Sequence, residues 1–237
     1  VVAAATAGAA AIYVIWRLLR RRQAASAAPA DLLLTKDTVS AYVREQLRSV
    51  HEAPIDAAKD LVATEIGDGN LNYAWCVAER ADATRAVFVK QAPGFIKCLG
   101  ADFKLGAERL LVESDVLAEY TAAAPGLVPR IIVRDAQRCA MITEFLNDHE
   151  LMRTALRAGH CHPRAAKDVA SFMALTHART HVKAVGSEGA SKWSHLANES
   201  MCAITAQFVF SKPLDAAEEY NRISDGVASA AAALQAD

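Results

Sequence analysis

The sequence lacks an excess of charge of either sign. Its 237 residues carry 26 Lys and Arg residues against 27 Asp and Glu residues. No overall field therefore favours an acidic partner, and we expect no nucleic-acid ligand. The hydrophobic share of 53% is inflated by alanine, which buries little surface. The length still allows one good-sized core or two lobes.

The chain also lacks a CxxC pair and any internal repeat. Its five cysteines are scattered along the sequence. An odd, unpatterned number of cysteines is typical of reduced thiols and argues against a disulfide framework.

Charged residues are absent from the first stretch of the chain. Residues 1–16, VVAAATAGAAAIYVIW, carry no charge, and RLLRRR follows them. At 1.5 Å per residue this stretch would span roughly 24 Å as a helix, slightly less than a hydrocarbon core of ~30 Å. Tyr13 and Trp16 lie next to the arginines, where interfacial aromatics belong. We therefore expect a single transmembrane helix within a membrane anchor at 1–22, with residues 1–19 in the bilayer.

Two other interpretations of this stretch are weaker. A signal peptide places its charges before the apolar run, and a transit peptide spreads its arginines along the segment. A buried helix of a globular protein would not end in an arginine cluster. The first residue is Val1 and not Met, so we expect processing or preceding residues. With the reduced cysteines, this indicates a single-pass location in an organelle membrane, the mitochondrial inner membrane. Residues 23–31 have the composition of a linker.

The remaining sequence predicts an α+β order. Hydrophobic alternation marks five strands and helical periodicity marks one helix before them and one between them. Only helices follow, so the pattern is not a βαβ alternation. The predicted strands are 60–67, 71–79, 85–92, 128–135 and 138–146, and the predicted helices are 35–47, 105–126, 164–181 and 215–237.

The stretch EIGDGNLNYAWCV, residues 65–77, contains two glycines two positions apart. Such a stretch is either a tight hairpin turn or a loop that covers phosphates, because Gly and Asn serve both purposes. Taken alone, the pattern does not decide between them.

A lysine further along the chain favours the phosphate loop. Lys90 ends an apolar strand and shares a face with Phe88, so it points inward and needs an anion. Glu113 falls between Leu110 and Leu117 on the buried stripe of the next helix. A Lys–Glu pair beneath a glycine loop is the arrangement with which kinase-type folds hold ATP phosphates.

At these residues the sequence resembles the methylthioribose kinases, of the aminoglycoside phosphotransferase and choline kinase branch of the kinase-like fold. The motifs EIGDGNLNY, VKQA, IKCLG, ESDVLAEY, PGLVPRI, ITEFL and HLANESMCAITAQFVFSKP follow one another in the family's order. The resemblance covers about Leu32 to Asp225. It departs from the family at the hinge, where the chain has Glu-Phe-Leu, at Ala101 to Lys104, and at Asn198-Glu199, where a proline is lost.

The resemblance implies a protein-kinase-like N-lobe at 32–146, with a five-stranded antiparallel sheet plus a helix, and a truncated helical C-lobe at 147–237. It implies ATP as the ligand of the retained cleft. Lys90 would meet the phosphates, with Glu113 fixing its position, and the segment from Glu144 to Leu146 would contact adenine through its backbone. The residues implied to lie over the nucleotide are Gly67, Gly69, Asn70 and Asn72.

Phosphoryl transfer also needs a carboxylate that orients the attacking hydroxyl and acidic ligands for Mg²⁺. The family carries them in a His-Gly-Asp-Leu-His loop and an Asp-Pro-Glu motif, and the sequence contains neither. We therefore predict no catalytic residue and no metal ligand. The cluster His160, Cys161 and His162 is a weak metal candidate, since adjacent residues rarely supply three ligands to one tetrahedral site. His177 and His181 have a four-residue spacing but lack the glutamate of a zinc protease helix.

These observations lead to three hypotheses. The main one is a membrane-anchored, catalytically inactive kinase-like scaffold, an accessory subunit whose partners are other subunits of a membrane complex. The alternative is a fragment of an active ATP-dependent methylthioribose kinase. The third is a sensor that binds ATP without transferring phosphate.

Overall fold

The computed structural model describes residues 32–67, 69–215, 219 and 221–234. The predicted anchor at 1–22 and the predicted linker at 23–31 lie outside the described residues. The described residues divide into two compact units, one that ends at residue 197 and one that begins at residue 198. The predicted boundary after residue 146 stays a prediction.

The first unit is built on a five-stranded antiparallel sheet, which confirms that part of the predicted fold. The strand order is β1-β2-β3-β7-β6. All five predicted strands are present with slightly different ends. They are β1 Leu61–Glu65, β2 Tyr73–Glu79, β3 Asp82–Gln91, β6 Ile131–Asp135 and β7 Ala140–Glu144.

A second, two-stranded sheet was not predicted. It pairs β4, Phe95–Ile96, with β5, Gly100–Lys104, in an antiparallel hairpin. The sequence gives little sign of it, because β4 is only two residues long and β5 is largely exposed, so neither shows a buried and exposed alternation.

One helix covers each face of the five-stranded sheet. Helix α1, Val39–Leu47, lies within the predicted helix 35–47. It buries Val39, Tyr42, Val43 and Leu47 against one face, in a cluster that includes Trp75 and Val89. Helix α2, Arg109–Ala123, packs on the other face through Leu110, in a cluster that includes Met141. Because side chains alternate along β3, Val89 faces α1, whereas Lys90 faces α2.

The rest of the first unit is helical. It contains α3, Met152–Arg157, α4, Ala165–Thr180, and α5, Val182–Ser191, which is kinked at Gly186 where φ is 74°. Only α4 was predicted. It packs on α2, with the rings of Tyr120 and Phe172 edge to face at 5.2 Å between centroids.

The second unit, described from residue 198, contains two helices. Helix α6, Glu199–Thr205, continues into a π-helical turn at Ala206–Ser211, and α7 spans Asp225–Leu234. The predicted helix 215–237 is thus shorter than expected. It begins at Asp225, ten residues later than predicted and after the Pro213-containing turn.

The predicted fold class needs one correction. It included a membrane-spanning helix, but within the described ranges no helix is both long and apolar enough to cross a bilayer. The transmembrane part of that prediction is therefore wrong, and the stretch it rested on, 1–22, is outside the described residues.

Candidate functional site

A lysine–glutamate ion pair joins the sheet to α2. Lys90 lies on β3, opposite Ala74 of β2 and Met141 of β7. Its Nζ donates to both carboxylate oxygens of Glu113, at 2.5 and 2.8 Å. The side chains are 24% and 36% exposed, so both charges are open to a ligand from solvent. The structure therefore brings together the two residues on which the sequence interpretation depended.

The glycine loop, residues 66–72, connects β1 to β2 next to this pair. The backbone N–H of Ile66 donates to the carbonyl of Ala74 at 2.9 Å and closes the loop at its base. The two glycines differ in their surroundings. A Cβ on Gly69 would lie 3.1 Å from the carbonyl oxygen of Asn72, whereas a Cβ on Gly67 would meet no atom within 4 Å. Gly69 is needed by the loop itself, and Gly67 leaves open space.

This difference makes a testable prediction. We expect Gly69→Ala to cost about 1–3 kcal/mol of unfolding free energy, because the Asn72 carbonyl must give way. Gly67→Ala should change that free energy by less than about 0.5 kcal/mol. It should nevertheless weaken ATP binding, because the added methyl group would enter the space between the glycine loop and Lys90 where we expect the phosphates. Urea unfolding and ATP titration of both variants would check this. Equal stability losses for the two variants would contradict the conclusion that the loop itself requires Gly69 but not Gly67.

The unpredicted β4–β5 hairpin holds the glycine loop in place. The backbone N–H of Cys98 donates to the carbonyl of Asn70 at 2.9 Å. Lys97 Nζ lies 2.5 Å from a Glu65 carboxylate oxygen and 4.9 Å from the ring centroid of Tyr73. Glu65 and Tyr73 are the residues at which the flanking strands meet the loop, so Lys97 contacts both of its ends.

The sequence interpretation also missed Arg109, at the start of α2. Its side chain is buried, at 3% exposure for the residue. It donates to Asn72 Oδ1 at 3.1 Å and to the carbonyl of Leu71 at 2.9 Å. Burial lowers the pKa of the guanidinium to about 10, while the charge of nearby Glu108 opposes that shift. Arg109 therefore stays charged at neutral pH. Its one signal in the sequence is the four-residue spacing from Glu113, which places both on one helix face.

The predicted loop residues have other contacts in the structure. The carbonyl of Asn70 accepts from Cys98, and the side-chain oxygen of Asn72 accepts from Arg109. Gly67 and Gly69 flank Asp68, which is not among the described residues. That these four residues lie over a nucleotide stays a prediction.

The predicted adenine segment begins where β7 ends. The side-chain carboxylate of Glu144 accepts a hydrogen bond from the backbone N–H of Arg130 at 2.8 Å, and the backbone N–H of Glu144 donates to the carbonyl of Arg130. Leu146 is 39% exposed. Glu144 is three residues along β7 from Met141, which pairs with Lys90. This separation is about 10 Å, which suits a ligand with an aromatic ring at one end and phosphates at the other.

The metal candidates and the cavity in other parts of the described chain do not coincide with the predicted site residues. Among the residues that the structure describes, no group of three His, Cys, Asp or Glu could hold a metal ion. His160 and His162 both approach the Glu150 carboxylate, at 3.1 and 3.9 Å. An open cavity of about 640 Å³ lies by the C-terminal end of α1 and contains none of the predicted site residues. We place the site at the ion pair, because binding phosphates needs the cation and the loop more than it needs volume.

Comparison with known proteins finds relatives among the methylthioribose kinases. No family model matches the chain. The methylthioribose kinase of Yersinia enterocolitica is 32% identical over 155 residues, which cover 65% of this chain and 38% of the relative. The Yersinia pseudotuberculosis enzyme is 30% identical over the same length, and that of Pectobacterium carotovorum is 29% identical over 160 residues.

The five-stranded sheet, the glycine loop and the Lys90–Glu113 pair define a kinase-like protein. The relatives make the assignment more specific, because the chain is similar to methylthioribose kinases at about 30% identity over 65% of its length. This confirms the resemblance that the motifs predicted. The chain spans about two fifths of the length of these relatives, 38%.

The comparisons also correct the predicted location. The relatives are kinases of bacteria, so the expected single-pass location in a mitochondrial inner membrane is wrong. Neither the relatives nor the described fold supports the membrane-anchored scaffold. The predicted partners, other subunits of a complex, stay a prediction.

Proposed function

We propose that this chain forms the nucleotide-binding part of an ATP-dependent methylthioribose kinase. The observation that carries the proposal is the Lys90–Glu113 ion pair beside the glycine loop, in a chain that is 32% identical to a methylthioribose kinase. The enzyme would transfer the γ-phosphoryl group of ATP to a hydroxyl of methylthioribose.

Each part of the site would have one task in binding ATP. Lys90 would neutralise phosphate charge as a compact cation on a strand, and Glu113 would keep its Nζ in place. The glycine loop would cover the phosphates with its backbone. The segment from Glu144 to Leu146 would contact the adenine ring. Since transfer itself depends on positioning and charge stabilisation, these residues would supply the binding half of catalysis.

No residue of this sequence is assigned to the orientation of the attacking hydroxyl or to the binding of Mg²⁺. The carboxylate that orients the hydroxyl and the acidic Mg²⁺ ligands were not found between residues 1 and 237. We therefore derive no step through the metal from this chain.

Turnover by the full-length protein tests the proposal. ADP release would be measured with ATP, Mg²⁺ and methylthioribose, and the matched control would replace methylthioribose with ribose. We expect ADP release that requires the methylthio group. ATP binding without ADP release would favour the sensor hypothesis instead. A protein that neither binds ATP nor releases ADP would refute the proposal.

A further inference from the structure

Arg109 connects three parts of the nucleotide site through one guanidinium group. It reaches the glycine loop, the β4–β5 hairpin with the segment before it, and the start of α2. Apart from Asn72 Oδ1, its acceptors are backbone carbonyls, at 2.7 to 3.4 Å: those of Leu71, Pro93, Phe95, Leu105 and Gly106.

These bonds compensate for the burial of a charge. A buried cation is tolerated only when hydrogen bonds replace its hydration. The planar guanidinium offers five N–H donors in a fixed geometry, which a lysine ammonium cannot reproduce. The loop, the hairpin and the helix start are therefore held in one arrangement by a group that tolerates little displacement.

The same helix carries the other half of the site. Arg109 and Glu113 are four residues apart on α2, so they lie on one face about one turn from each other. Arg109 contacts the glycine loop, and Glu113 contacts Lys90. A shift of α2 relative to the loop would therefore move Glu113, which holds the Lys90 ammonium group in position.

We propose that Arg109 is a positioning residue that fixes the glycine loop relative to the Lys90–Glu113 pair. This inference rests on the proposed function, since it assumes that the phosphates of ATP lie between the loop and Lys90. Arg109 would act through these elements and would not touch the nucleotide.

The test compares ATP with adenosine as ligands of the full chain. Adenosine has the ring that would contact residues 144–146 but no phosphates. We expect Arg109→Gln to raise the Kd for ATP about 10- to 100-fold, as displacement of a bound group does, and to leave the Kd for adenosine within about twofold. Arg109→Lys should raise the Kd for ATP almost as much as Arg109→Gln does, because lysine keeps the charge but not the planar arrangement of N–H donors.

A matched control comes from the neighbouring sheet edge. Arg134 of β6 also bonds to α2, through Asp115 at 2.8 and 3.0 Å, but it does not reach the loop. Arg134→Gln should leave the ratio of the two Kd values unchanged. In addition, amide hydrogen exchange in residues 66–72 should be faster in Arg109→Gln than in Arg134→Gln.

The outcomes separate the two proposals. If the unmodified chain binds no ATP, the proposed function fails, and faster exchange in residues 66–72 would still support the loop-holding role of Arg109. If the unmodified chain binds ATP and Arg109→Gln weakens ATP and adenosine equally, the positioning role is refuted. The positioning role is also refuted if Arg109→Gln changes neither the ratio of the Kd values for ATP and adenosine nor the amide hydrogen exchange in residues 66–72.

Discussion

Replacing Lys90 with methionine should lower kcat of the full-length protein in the proposed kinase reaction by about 10²–10³-fold, the usual cost of removing one charge-stabilising group. Methionine keeps an unbranched side chain but removes the cation that would meet the phosphates. The fold should tolerate the change. Lys90 and Glu113 are both partly exposed, and a pair of that kind contributes about 1 kcal/mol or less to stability.

Two further variants sharpen this experiment. Lys104→Met removes an exposed lysine from β5, and it should leave kcat and the Kd for ATP unchanged. The double variant Lys90→Glu with Glu113→Lys restores an ion pair between strand and helix but moves the cation to α2. We expect it to recover stability and not activity. Full activity in Lys90→Met, with ATP binding unchanged, would remove Lys90 from the site.

Replacing Trp75 with alanine should cost about 3–5 kcal/mol of unfolding free energy, as large-to-small core substitutions of this type do. Trp75 is 1% exposed on β2, and its ring stacks on Tyr73 at 5.7 Å between centroids. Its loss would leave a cavity between the sheet and α1. The strand that leads out of the glycine loop would lose its main anchor.

The matched variant Trp75→Phe keeps an aromatic ring at the same position. The indole N–H of Trp75 has no hydrogen-bond partner within the described part of the chain, so phenylalanine sacrifices no bond there. We expect a loss well below that of Trp75→Ala. Urea unfolding of the two variants gives both values. Equal losses would mean that ring packing contributes little at this position.

The parts of the site that follow from periodicity could be predicted, and the parts that depend on long-range bonds could not. Lys90 and Glu113 each stand out against an apolar pattern, on a strand and on a helix, so their residue types indicated a pairing. Arg109 is the first residue of a helix, a position at which an arginine usually faces solvent. Only the fold brings six acceptors around it.

The fold shows the same division. The five strands of the larger sheet have alternating or continuous apolar patterns and were predicted, whereas the β4–β5 hairpin has neither. The apolar run in residues 1–16 predicted a membrane helix from hydropathy and flanking charge alone. Such a run in an alanine-rich sequence is weak support, because alanine contributes little to the free energy of transfer into a bilayer.

The alternation along β3 also bears on how the sheet avoids misfolding. A slip of β3 by one residue against its neighbours would turn Lys90 into the cluster around Trp75 and turn Val89 out of it. Burying an ammonium without a partner costs several kcal/mol, so a slipped sheet would be strongly disfavoured. The lysine proposed to bind phosphate would then also act during folding, by selecting the correct strand pairing before any nucleotide is bound.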